Sequence, residues 1–348
     1  MRDVDAMLQG LVSRQDWAGN VAIVYAGQQI VRGAYGIGER TWQIPTRRDA
    51  VYRVGSVTKM FTAVAVLQLV QAGQLSLDAS VRATLPALPA AWQPVTIRHL
   101  LNHTSGIPEY MASTNSFRQL VRVDRAPDAV LALVQDQPLR FVPGSKYAYS
   151  NSNYVALGMV IEKLTGKPYA QDLATRFLQP LGMKHSGYFD YTRIVPSLVP
   201  GYLRDDGKLQ NMFHIAPSMV YAAGNLYSTI DDLLIWDRAL HDGDALKLDP
   251  ALKKEMFRNQ GSGYGFGAFV DTVDGETAVG HGGTLPGYQL GYIRFLRLPL
   301  TVMVLTNVSP TDVDKMAFDL ARLFFRHCGK TAPAERCDLA ASERSSTR

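Results

Sequence analysis

The chain has 348 residues, 47% hydrophobic and 19% charged, which is enough for a large core and longer than one ordinary domain. A net charge of +5 and a pI near 9.1 are mildly basic, but Lys and Arg are dispersed, so nucleic-acid binding is not expected. No run approaches the roughly 20 apolar residues of a membrane span.

Residues 1–15 carry Asp3 and Asp5 and lack an uninterrupted apolar stretch, so they do not read as a secretory signal. Because residue 1 falls close to the first structured element, a trimmed periplasmic or secreted chain is expected, with a cytoplasmic location as the alternative. Residues 20–26 and 29–35 are short β-prone runs separated by Gly27-Gln28, which suggests an antiparallel hairpin. From 56 to 72 an Ala-, Val- and Leu-rich helix starts behind Gly55 and stops before Gly73.

Residues 76–220 hold most of the proline-punctuated loops and helical patterns at 126–135 and 153–164, and read as a largely helical insertion. Ser228 opens another helix, with Asp231 as its capping-box acid and Gly243 beyond its end. Four β-like runs follow, at 264–272, 277–280, 288–296 and 301–305, with turns at Asp274-Gly275 and Pro286-Gly287. Residues 313–325 form an amphipathic pattern that fits a helix lying on that sheet. The expected division is 1–75 with 221–327 as a discontinuous α/β unit, 76–220 as the insertion, and 328–348 as a polar tail.

Cys328 and Cys337 either close a short loop by a disulfide or stand as two thiols in the tail. Their spacing matches no zinc pattern, there is no His-Glu-x-x-His, and the seven histidines are scattered, so neither metal nor cofactor is expected.

Ser56-Val57-Thr58-Lys59 places a hydroxyl and an amine three residues apart, on one face of a helix. A serine is a poor nucleophile until its proton is removed, and a buried lysine that has lost its charge can remove it. The spacing alone carries little weight, because a capping serine followed by a solvated lysine has the same pattern. In the loop leading into the second helical pattern, Tyr149-Ser150-Asn151 offers a phenol and an amide. Beside two cations that phenol's pKa would fall and it could relay protons, while Asn151 could bind a substrate carbonyl. Val279-Gly280-His281-Gly282-Gly283-Thr284 starts a β-run whose glycines let substrate backbone approach. The amides of Thr284 and Ser56 are candidates for an oxyanion hole, and His281 could orient Tyr149 or supply positive charge.

These three motifs in this order resemble the class C β-lactamase and D-Ala-D-Ala carboxypeptidase superfamily, over roughly residues 5–326. Flanking stretches match as well: Leu100-Leu101-Asn102-His103-Thr104-Ser105-Gly106-Ile107-Pro108, Pro143-Gly144, and Ala223-Gly224-Asn225-Leu226-Tyr227-Ser228-Thr229. The resemblance implies an α/β (α+β) fold of the β-lactamase/transpeptidase type, an antiparallel sheet flanked by helices with an all-α insertion and the site between them. It implies that Ser56 is acylated, Lys59 and Tyr149 move protons, Asn151 meets substrate, and Ser56 and Thr284 hold the oxyanion; His281 and Gly283, on the same wall, are further substrate-binding candidates.

Class C β-lactamases carry Lys-Thr-Gly where this chain has His281, Gly282 and Gly283, so β-lactam hydrolysis is disfavoured. The expected activity is that of a serine hydrolase on small esters or on D-amino-acid amides and peptides, as in family VIII carboxylesterases and D-aminopeptidase-like enzymes. The alternatives are a β-lactamase or D-Ala-D-Ala carboxypeptidase, or a non-catalytic peptidoglycan- or β-lactam-binding or sensor protein. A Gly-x-Ser-x-Gly elbow is absent, so any esterase activity must use Ser56. His103 reads as a turn-stabilising residue, and Tyr110, Phe117, Tyr221 and Tyr288 as core or acyl-pocket residues. Gly261–Gly267 leads into a strand, which excludes a phosphate loop.

Overall fold

The computed structural model describes residues 2–15, 17–111 and 117–329. A six-stranded antiparallel sheet runs in the order Phe269–Val273, Glu276–Leu285, Tyr288–Phe295, Leu300–Thr306, Gly19–Tyr25, Gln28–Tyr35. Gly19 pairs with Thr306 and Tyr25 with Leu300, so the two ends of the chain meet in the middle of the sheet. The N-terminal hairpin turns at Ala26 and Gly27, one residue earlier than expected. Both have positive φ (49° and 78°), the requirement of the tight turn that matches strand twist.

Both faces of the sheet are covered, and strand alternation divides the core between them. Along Gly19–Tyr25, Val21, Ile23 and Tyr25 pack with the C-terminal helix Val313–Cys328, while Ala22 and Val24 pack with the larger core beyond the other face. That second core surrounds the helix Thr58–Gln71, buried on every side along most of its length, which explains its lack of a polar stripe. Its end is as expected, with Gly73 at φ 69°.

The segment 76–220 supplies the helices Ile97–Leu101, Pro127–Ala132 and Asn151–Thr165, and also a hairpin, Tyr202–Asp205 with Lys208–Asn211, that the helical reading lacked. Its signal was Asp206-Gly207, both at positive φ. Two further differences are local. The helix expected from Ser228 begins at Ile230 under a Thr229 cap, whose hydroxyl accepts the Asp232 amide at 3.1 Å, and Asp231 instead pairs with Arg32 at 2.8 Å. The first β-run of the meander is a glycine loop until Phe269, because Gly263 and Gly267 turn the chain with φ of 72° and 73°. No helix of the described residues is long and apolar enough to cross a membrane. Cys328 ends the last helix, and Cys337 lies outside the described residues, as does nearly all of the expected tail.

Candidate active site

Ser56 lies on a single 3₁₀ turn, Gly55–Val57, that leads directly into the buried helix. Gly55 has φ 54°, and a Cβ there would stand 2.8 Å from the Thr284 nitrogen, so the turn can approach the glycine strand only without a side chain. Thr58 ties the turn from within: its hydroxyl donates to the Gly55 carbonyl at 2.7 Å and accepts the Leu226 amide at 3.1 Å. Lys59 follows one turn after Ser56 and is fully buried. Its Nζ lies 3.0 Å from Ser56 Oγ, 2.8 Å from Asn151 Oδ1 and 2.8 Å from the Ala223 carbonyl. Burial lowers the Lys59 pKa from 10.5 to about 7, with Glu109 pulling the other way. Ser56 itself keeps partial exposure, so the hydroxyl can meet a ligand while the amine stays behind it.

Tyr149 donates its hydroxyl to Ser56 Oγ at 2.9 Å, and Lys59 Nζ stands 4.8 Å from the centre of its ring. The expected fall in the phenol's pKa is reversed. Burial raises it above the ordinary value, the Ser56 hydrogen bond opposes that only in part, and Glu109 adds to the rise. Asn151 is the first residue of Asn151–Thr165, which aims its side chain at Lys59 while its backbone amide donates to the Glu109 carboxylate.

The glycine strand Glu276–Leu285 closes the other wall. A Cβ on Gly283 would stand 2.0 Å from the Val54 carbonyl oxygen and 3.5 Å from the Ser56 nitrogen, so this glycine permits contact between the strand and the Ser56 turn. Thr284 is exposed beside it. His281 lies on the same wall but is buried, with Nδ1–H donating to the Gly282 carbonyl and Nε2 accepting the Tyr264 hydroxyl at 2.9 Å. Burial, with Lys59 nearby, depresses its pKa to about 3. The imidazole is therefore neutral at physiological pH and supplies no positive charge. Among the described residues no hydrogen bond joins it to Tyr149, whose ring centre is 6.2 Å away.

Two contributors were not among the candidate site residues: Glu109 lies just beyond the flanking stretch 100–108, and Ala223 opens another flanking stretch without having been given a role. Glu109 sits largely buried against the start of Asn151–Thr165, accepting the amides of Asn151 and, at 2.8 Å, Met111. The Ala223 carbonyl is delivered by the helix Pro217–Gly224, kinked at Tyr221, whose φ of 28° and ψ of −126° are strained for a non-glycine residue. Of the candidate pocket aromatics, Tyr110 is core, with its hydroxyl on the Met219 carbonyl, and Tyr288 is tied to the Val199 carbonyl at 2.6 Å. The side chain of Phe117 lies outside those described. Among the described residues no cluster of His, Cys, Asp or Glu is arranged to hold a metal ion.

A chain-end sheet covered by helices on both faces, with the helix Thr58–Gln71 in its larger core, defines a protein of the β-lactamase/transpeptidase-like fold. The Beta-lactamase family profile matches residues 4–324, and the chain belongs to that family. Esterase EstB of Burkholderia gladioli is 32% identical, the alignment covering 88% of this chain and 90% of that one. Penicillin-binding protein 4* of Bacillus subtilis is 28% identical over 88% of this chain and 71% of its own. The crystal structure of a D-stereospecific amidohydrolase from Streptomyces sp. superposes with a TM-score of 0.79 at 27% identity, covering 95% of this chain and 99% of the other. The protein is a hydrolase of this family.

Proposed function

We propose that the protein hydrolyses small esters, or amides and peptides of D-amino acids, through an acyl-enzyme on Ser56. The observation that carries this is a partly exposed Ser56 Oγ with Lys59 Nζ at 3.0 Å and the Tyr149 hydroxyl at 2.9 Å. Neutral Lys59 takes the Ser56 proton as Oγ bonds to the substrate carbonyl carbon, and the carbonyl electrons move onto its oxygen. The amides of Ser56 and Thr284 stabilise that oxyanion, and the close fit allowed by Gly55 and Gly283 supports the assignment. Tyr149, kept protonated by burial, donates to the departing oxygen or nitrogen, and the ammonium on Lys59 restores the phenol's proton. Water then repeats the sequence and releases the acid.

Asn151 orients Lys59 and presents its amide to the substrate, and Gly283 leaves room for substrate backbone. His281 shapes the wall as a neutral ring. The missing cation at positions 281–283 disfavours a ligand held by a carboxylate, which weighs against β-lactam or D-Ala-D-Ala substrates, although one relative bears the name of a penicillin-binding protein. The relatives named as an esterase and a D-stereospecific amidohydrolase fit the preferred reading. Under the same reading, residues 1–75 with 221–327 carry the nucleophile and strand walls, and 76–220 carries Tyr149 and Asn151.

A fluorophosphonate should add once to the wild type, by intact mass, and not to Ser56→Ala. An unlabelled wild type, or an equal adduct on Ser56→Ala, would falsify the mechanism. Turnover of p-nitrophenyl esters, D-Ala-p-nitroanilide, D-Ala-D-Ala peptides and nitrocefin then ranks the substrates, and a single product per protein would mark a binder instead.

A further inference from the structure

His103 lies in the turn after the helix Ile97–Leu101, in the left-handed region at φ 58°. It is fully buried, and it grips three consecutive residues of the Tyr149 loop. Its carbonyl accepts the Ala148 amide at 3.0 Å, and its Nδ1 accepts the Ser150 amide at 3.2 Å. Between these two anchors its ring lies on that of Tyr149, with centres 4.3 Å apart and planes tilted by 38°. The rings of Tyr154 and Tyr264 close around it at 5.2 and 4.8 Å.

An amide can only donate, so Nδ1 is an acceptor and the ring proton sits on Nε2. That Nε2 is buried with no hydrogen-bond partner among the described residues. Glycine or asparagine makes the same turn, so the imidazole answers to what its Nδ1 and ring face hold: the Ser150 amide, the Asn153 side-chain amide at 3.1 Å and the Tyr149 ring. Burial, reinforced by Lys59 and His281, depresses the His103 pKa well below its ordinary value, so the ring serves through shape and its acceptor, not through charge.

We infer that His103 is a positioning residue that holds the Tyr149 hydroxyl on Ser56 Oγ, through paired anchors at Ala148 and Ser150 and the ring face between them. The inference rests on the proton-transfer role proposed for Tyr149. It extends the turn-stabilising reading of His103, which accounts for the backbone conformation but not for the imidazole.

The test uses His103→Ala and His103→Asn in the full chain, with a p-nitrophenyl ester as substrate and fluorophosphonate titration to count competent sites. Asparagine tolerates positive φ and puts Oδ1 where Nδ1 stands, so it keeps the Ser150 anchor. Per titrated site, His103→Ala should lose kcat by on the order of a hundredfold with KM little changed, and His103→Asn should recover most of that loss. An unchanged kcat in His103→Ala overturns the inference while the Ser56 reading stands. So does equal loss in both variants, or a loss that vanishes once activity is divided by titrated sites. A wild type with neither adduct nor turnover overturns the Ser56 reading and this inference together.

Discussion

Lys59 on the helix Thr58–Gln71 and His281 on the glycine strand are both basic and both buried, and their pKa values fall for the same reason. The amine starts at 10.5 and arrives at about 7, within reach of neutral pH. The imidazole starts at 6.5 and arrives at about 3, where it stays uncharged throughout the working range. One desolvation effect thus lets the first base shed its proton near neutral pH and removes the charge of the second. Their partners differ in the same sense. Lys59 meets Ser56, Asn151 and a carbonyl, whereas His281 is closed by Tyr264 and its own strand.

The contrast should break most visibly at Lys59. Lys59→Met is expected to lower kcat by on the order of a thousandfold or more, measured on the best ester. In the wild type, kcat/KM should rise with pH through a limb near 7, since the neutral amine is the active form. A limb several units lower would remove Lys59 as the base. Wild-type stability should also rise with pH, over a higher range. Between about 7 and 10.5 the unfolded chain binds more protons than the folded one, so the burden of burying Lys59 is greatest at and below pH 7 and lifts as pH rises. Lys59→Met should therefore raise Tm at pH 7, by an amount that shrinks towards pH 10. A Tm gain that grows with pH would contradict the shift.

Tyr149→Phe comes next, with the fold kept by circular dichroism and kcat down by about a hundredfold; unchanged kcat would take the phenol out of the mechanism. Gly283→Ala probes the contact between the walls. Its Cβ would stand 2.0 Å from the Val54 carbonyl oxygen, so the strand must withdraw from the Ser56 turn. We expect kcat to fall roughly tenfold or more, with a lower Tm; full activity would show that the strand does not form the oxyanion wall. The smallest effect belongs to His281→Asn, which should change kcat only a few-fold and leave the acid limb in place. A displaced limb would return a charge to His281.

Much of the frame was legible from local patterns. Period-two runs and turn residues marked the strands, and their position at the two ends of the chain already implied a sheet assembled across an insertion. Asp206-Gly207 marked a hairpin that the helical reading of 76–220 passed over, because a four-residue strand carries little periodicity. The capping pattern after Ser228 misled for a related reason: Ser228 and Thr229 are both good caps, and strand pairing of Ser228 with Tyr52 left the role to Thr229.

What the sequence determined by itself was chemistry with a spacing: a serine and a lysine one helical turn apart, a tyrosine entering a helix, and glycines where the backbone must come close. Tertiary structure decided what those groups are. The charge states of Lys59 and His281, the raised pKa of Tyr149, the carboxylate of Glu109 at a helix start and the grip of His103 on the Tyr149 loop all depend on burial by residues far apart in the chain. Desolvation sums over neighbours in space, and no local pattern of residues carries that sum.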